Sequence, residues 1–352
     1  MTLFEELMTM RDSQRKARAS HDVVIRASGL EWEENAQGRL KWYLHPALDN
    51  APSAFTAYTQ EVPPQHSSGK SLSQGGTLYY LLQGSLTSRV DDEVYHWEAG
   101  DLLTLPVLRD GVEAQHFNIA ERSAVLLALE TNTTEALGVD KGSGFEMIEP
   151  AGVIADASVI TLGAEGPRAD HGSLTDGPVI DDEIDMQYHR DIERWKWIRD
   201  RNERGRLLVR GSDQSWEQNI QGRVKYYLNP EYQDNALRDW TFFLHDIKSH
   251  TGMHRHQGGI LIYVVEGEGY TVADGTRHDW STGDMIMLPL QPGGVEHEHH
   301  NTNPAGTCRW VASFYWPWWE LVASEFTQLR PHPDYVPGKH VPDLGQRRGA
   351  RG

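Results

Sequence analysis

Apolar positions in the second half of the chain fall into short runs: WTFFLHDI, GGILIYVVEG, YTVAD, DMIMLP and CRWVASFYW, each separated by Gly, Pro or Asp. Runs of four to nine residues rich in β-branched and aromatic side chains, with turn residues between them, predict strands. Their spacing is the cadence of a small barrel or jelly roll. Two regions break the pattern. Residues 4–18 and 183–204 are rich in charge with apolar residues at helical spacing, which predicts one helix ahead of each β-rich region. Residues 136–180, rich in Gly, Asp and Ser, read as an irregular linker, and 327–352 as a Pro-rich tail with a basic end.

The pattern occurs twice. SGLEWEENAQGRLKWYLHP (28–46) returns as SDQSWEQNIQGRVKYYLNP (212–230), QGGTLYYLLQG (74–84) as QGGILIYVVEG (257–267), and LPVLRDGVEAQHFN (105–118) as LPLQPGGVEHEHHN (288–301). Across the later segments the offset stays at 183. A constant offset over several strands means duplicated domains. The expected organisation is therefore an all-β chain of two jelly-roll barrels with flanking helices: an N-terminal helix (1–20), a first barrel (21–135), linker and helix (136–205), a second barrel (206–322) and a tail (323–352).

Composition narrows the chemistry. The chain has 352 residues and a single cysteine, Cys308, so a thiolate zinc cluster and an internal disulfide are both excluded. A formal charge of -18 argues against nucleic-acid backbones. No run reaches the length of a membrane helix, and the first twenty residues carry charges where a signal peptide is apolar, so the expectation is a cytoplasmic protein with no membrane partner.

Histidines concentrate in HTGMHRHQGG and GVEHEHHN. His254 and His256 are two apart, which on a strand puts both side chains on one face, and His297 arrives on a later strand. Three neutral imidazoles from two strands suit a divalent first-row metal with open positions. In the first copy the matching positions are Ser71, Ser73 and Ala114, so that copy is expected to hold no metal. His299 and Asn301 have counterparts there, His116 and Asn118. For His299 this leaves two readings open, a general base in the cavity or a residue that packs the barrel.

These residues resemble the cupin superfamily: Gly252, His254, His256 and Gly267 fit its first motif, and Gly283, Pro289, His297 and Asn301 its second. The glutamate ligand of many cupins is missing, since positions 260 and 261 are Ile260 and Leu261. In that respect the chain resembles the gentisate 1,2-dioxygenase branch of bicupins. The resemblance implies Fe(II) held by His254, His256 and His297, and O2-dependent opening of a small hydroxylated aromatic ring of gentisate, hydroquinone or salicylate type. It further implies His299 acting on the substrate, and a homo-oligomer, dimeric or tetrameric, with a small-subunit partner where hydroquinone dioxygenases are the nearer relatives. Candidate substrate contacts are His245, Gly258, Gly259, Ile262, Asn301 and Arg309, together with an aromatic closing strand from Trp310 to Trp319. The branch commonly carries an arginine at the place of Ile262, and its loss favours a substrate without a carboxylate. The competing readings are another metal-dependent cupin enzyme, such as a diketone or thiol dioxygenase or an isomerase, and a cupin that binds a ligand without turnover.

Overall fold

The computed structural model describes residues 1–19, 22–48, 55–132, 146–155, 186–232, 234–303 and 305–337, with isolated positions between 160 and 180. Most of the expected linker and the end of the tail lie outside them. Among the described residues no helix is long and apolar enough to cross a membrane.

Two jelly-roll barrels form, each from two facing sheets. The second barrel has one sheet ordered Met285–Met287, Leu261–Glu266, Arg309–Tyr315, Trp240–Asp246, Gly222–Leu228 and Glu217–Asn219. Its other sheet runs Thr276–Ser281, Glu268–Ala273, Val295–Asn301, Met253–His256 and Thr327–Arg330. The first barrel repeats this order with Leu102–Thr104, Leu78–Gln83, Ala124–Thr131, Phe55–Val62 and Gly38–Leu44. Alternation of inward and outward residues in strands such as Gly222–Leu228 explains why the apolar runs pack there. Helices Leu3–Ala19 and Gln187–Arg204 precede the barrels as the charge pattern predicts.

The barrels are joined by an exchange that the linear reading does not show. Val24–Ile25, ahead of the first barrel, pairs with Met285–Ile286 of the second, while Leu208–Val209, ahead of the second, pairs with Leu102–Leu103 of the first. Each exchange is locked by a buried carboxylate. Asp284 accepts from Arg26 Nη1 at 3.0 Å and from the Ala27 amide at 2.9 Å, and Asp101 accepts from Arg210 Nη1 at 3.0 Å and the Gly211 amide at 2.8 Å. Tyr43 donates to the Gly283 carbonyl and Tyr227 to the Gly100 carbonyl, repeating the symmetry. One apolar cluster, containing Tyr43, Phe55, Tyr227 and Phe242, spans both halves.

Two local expectations change. The aromatic closing strand ends at Tyr315, and Trp316–Leu321 is a short helix, because Pro317 in its first turn has its backbone angle preset for a helix and lacks the amide that a strand would use. The segment read as tail contributes the strand Thr327–Arg330, which pairs with Met253–Arg255.

Candidate metal centre and its cavity

The register of one strand pair builds the centre. Antiparallel pairing of Met253–His256 with Val295–Asn301 sets His254 directly opposite His297, and His256 lies two residues further along the same face. The ring centroids are 4.2 Å apart for His254 and His297, 4.5 Å for His256 and His297, and 5.0 Å for His254 and His256. One nitrogen of each lies within 4.8 Å of the others. In the first barrel the same register pairs Ser71 with Ala114, so the geometry survives there and the donors do not.

Hydrogen bonds fix the tautomer of all three. Nδ1 of His254 faces the Gly252 carbonyl at 3.2 Å, that of His256 the Gln257 carbonyl at 2.6 Å, and that of His297 the Val295 carbonyl at 3.0 Å. A carbonyl can only accept, so each Nδ1 carries the proton and each Nε2 presents a lone pair. Burial holds the rings neutral: it pushes the pKa of His254 down to about 4 and that of His256 to about 3, the latter helped by His254. His297 is lowered too, by burial and then by both neighbours. Three neutral, converging imidazoles therefore fit a divalent first-row ion without first losing protons at neutral pH.

His299 is held the opposite way. Its Nδ1 lies 2.8 Å from the Thr271 hydroxyl, and that hydroxyl accepts the Trp280 indole N–H at 2.9 Å. The indole can only donate, which leaves the hydroxyl proton available to Nδ1; in that arrangement His299 carries its own proton on Nε2. Burial lowers its basicity further. In that tautomer it presents a hydrogen-bond donor to the cavity. The first barrel has the same device, with His116 Nδ1 at 2.7 Å from Ser88 and the Trp97 indole donating to Ser88 at 2.8 Å. Thr271 and Trp280 escaped the sequence reading, although their repeat partners Ser88 and Trp97 were there to signal them.

The three histidines open into a cavity of about 190 Å³ walled by aromatic side chains, among them Phe243, Trp310, Phe314 and Phe326. His245, Ile262 and His299, all candidates from sequence, line it. His245 is buried, with its ring 4.7 Å from that of Trp310, and desolvation pushes its pKa down to about 3. Ile262 is one reason the space exists. In the first barrel Tyr79 takes the equivalent register position, and its ring stands 4.7 Å from His116.

Four other candidates sit away from the cavity wall. The Asn301 amide donates to the Ile247 carbonyl at 3.0 Å, and its side-chain oxygen accepts the Asn303 amide, so it ties a turn together. Arg309 lies 3.7 Å from Asp246 and 3.9 Å from Glu266 on the outer face. Gly258 is required by backbone approach, since a Cβ there would meet the Leu288 carbonyl oxygen at 2.1 Å, and Gly259 turns the chain at a φ of +78°. Arg255 pairs with Glu296 at 2.9 Å on the face opposite the ligands, as strand parity predicts.

Residues 245–314 match the family model for the cupin domain, a stretch that contains the three histidines. No curated protein matches the chain. Among solved structures, salicylate 1,2-dioxygenase from Pseudoaminobacter salicylatoxidans with gentisate superposes with a TM-score of 0.54 at 14% identity, covering 89% of this chain and 82% of that one. Vicilin from Corylus avellana gives 0.56 at 13% identity, covering 87% and 88%, and a Bacillus subtilis oxalate decarboxylase with Mn(II) centres gives 0.54 at 13%, covering 84% and 77%. At such identities these likenesses speak for the fold alone.

Proposed function

We propose that the protein is an Fe(II)-dependent dioxygenase that opens the ring of an uncharged dihydroxybenzene of hydroquinone type. The observation that carries this reading is the union of three imidazole lone pairs with an aromatic cavity whose lining, among the described residues, includes no Lys, Arg, Asp or Glu. A ring carboxylate, as in gentisate or salicylate, would meet no side-chain cation in that wall, and burying an unpaired carboxylate is costly. The volume suits one six-membered ring, since an apolar cavity of about 150 Å³ takes up benzene.

Bound at His254, His256 and His297, Fe(II) would supply a common docking point for a ring oxygen and dioxygen and the electrons they exchange. Three neutral ligands leave the ion's charge uncompensated, which favours a phenolate. The chain's own residues do the rest. The aromatic wall takes the ring face and excludes water, Ile262 leaves it room, and the Nε2–H of His299 donates to a ring oxygen and orients the ring. Cleavage consumes one dioxygen per ring, both oxygen atoms entering the product, so no outside reductant is needed.

Metal analysis of protein purified without added metal, followed by oxygen uptake with hydroquinone, catechol, gentisate and salicylate, tests this reading. Iron at one per chain and uptake with hydroquinone above the carboxylated rings are expected. Stoichiometric zinc with no uptake on any ring would end the proposal.

A further inference from the structure

The chain that follows the closing helix is built into the metal cavity. After Trp316–Leu321, Ala323 takes a left-handed conformation at a φ of +48°, which turns the chain back over the barrel mouth. Ser324 then accepts the Gln257 amide at 3.1 Å, next to His256. Beyond the mouth, Thr327–Arg330 pairs with the ligand strand, His254 lying opposite Gln328. Gln328 donates to the Met253 carbonyl at 3.1 Å, Arg330 pairs with the buried Glu298, and the His332 amide donates to the Ile220 carbonyl at 2.8 Å. The segment 324–332 is thus tied down on both sides of the mouth.

Between those anchors stands Phe326. Its ring is 5.1 Å from His256, 6.4 Å and nearly parallel from His254, and 5.0 Å from Trp319. It lines the cavity, yet the residue is 59% exposed. A phenylalanine recruited for core packing would be covered on all sides. This one has one face on the ligand histidines and the other in solvent, the placing of a wall at an entrance.

We propose that residues 324–332 form a strap across the cavity mouth and that Phe326 is a specificity-determining residue, the outer wall against which a single aromatic ring is held beside the three histidines. The cavity of about 190 Å³ has room for one ring while Phe326 closes it, and a fused two-ring diol is shut out by this side chain. The assignment of a ring substrate rests on the function proposed above. The strap itself rests on the contacts just given.

The test compares wild type with Phe326→Ala and Phe326→Leu, each loaded with Fe(II) and checked for equal metal content. With hydroquinone, Phe326→Ala is expected to raise KM about tenfold while kcat changes less than threefold, and to turn over 1,4-dihydroxynaphthalene, which wild type does not. Phe326→Leu restores most of the KM and the exclusion. A KM within twofold of wild type, with the two-ring diol still excluded, overturns the proposal. Binding of 4-nitrocatechol, followed by its absorption change on the metal-loaded protein without oxygen, separates the two claims. If wild type turns over no ring, a tenfold weaker Kd in Phe326→Ala still supports the strap. Equal affinities, or no binding by wild type, overturn it.

Discussion

The paired hydroxyl devices allow one substitution to be judged against an internal control. In Thr271→Val the γ-hydroxyl that takes the Trp280 indole N–H at 2.9 Å and meets His299 Nδ1 at 2.8 Å is replaced by a methyl of similar size. Both nitrogens are left without a partner among fully buried neighbours. Each buried, unpaired polar group costs about 1–3 kcal/mol, so the variant is expected to lose about 2–4 kcal/mol in urea unfolding. His299 is then free to take the other tautomer, and the donor facing the cavity is lost. We expect kcat on hydroquinone to fall about tenfold or more, the loss of about 1.4 kcal/mol or more in the transition state. Ser88→Ala removes the matching hydroxyl between Trp97 and His116 in the first barrel. It is expected to cost a similar amount in unfolding and leave kcat at the wild-type value. Thr271→Ser retains both properties. The reasoning fails if Thr271→Val and Ser88→Ala each lose less than about 0.5 kcal/mol, the range of an ordinary surface change. It fails on function if Thr271→Val is destabilised but turns over at the wild-type rate.

Two further outcomes follow from buried groups. In the metal-free protein, His116, His245, His254 and His256 have pKa values pushed down by burial to about 3–4, against an unfolded value near 6.5. The unfolded chain therefore takes up the protons first, and stability falls as pH drops from about 6.5 toward 4, by about 1.4 kcal/mol per pH unit for each such histidine. Urea midpoints measured from pH 8 to 4.5 check this, and a flat profile would contradict it. His254→Ala, His256→Ala and His116→Ala should each reduce the slope. At the exchanged strands, Asp101→Ala and Asp284→Ala each leave a partly exposed arginine and two backbone amides without their carboxylate. Each is expected to cost about 2–4 kcal/mol, most of it from the two amides left unpaired, and to expose the joint between barrels to limited proteolysis. Unchanged melting and protease resistance would show that the exchange is not what holds the halves together.

Much of this was legible in the sequence because strands write their period into it. The duplicated segments, the parity of His254 and His256 and the missing donors at Ser71, Ser73 and Ala114 needed only spacing, and the observed registers place those residues as spacing requires. What stayed hidden depends on contacts between distant parts of the chain. The short strands Val24–Ile25 and Leu208–Val209 each join the other barrel, and two residues carry no pattern that reveals a partner. Thr327–Arg330 reads as part of a Pro-rich tail because its pairing partner lies some seventy residues earlier. The role of His299 turned on a proton. Spacing put it on the inward face, while the Thr271 and Trp280 side chains that meet its Nδ1 stand on strands outside the histidine motifs. Asn301 and Arg309 shared motif or strand with cavity residues, and their hydrogen bonds and ion pairs spend them on the frame.

The most direct test of the account is oxygen uptake by protein loaded with one Fe(II) per chain, measured beside His297→Ala. The account expects one dioxygen consumed per hydroquinone by the loaded protein, and neither bound iron nor uptake in the variant. Uptake that persists in His297→Ala, or its absence from iron-loaded wild type with every ring offered, would contradict it.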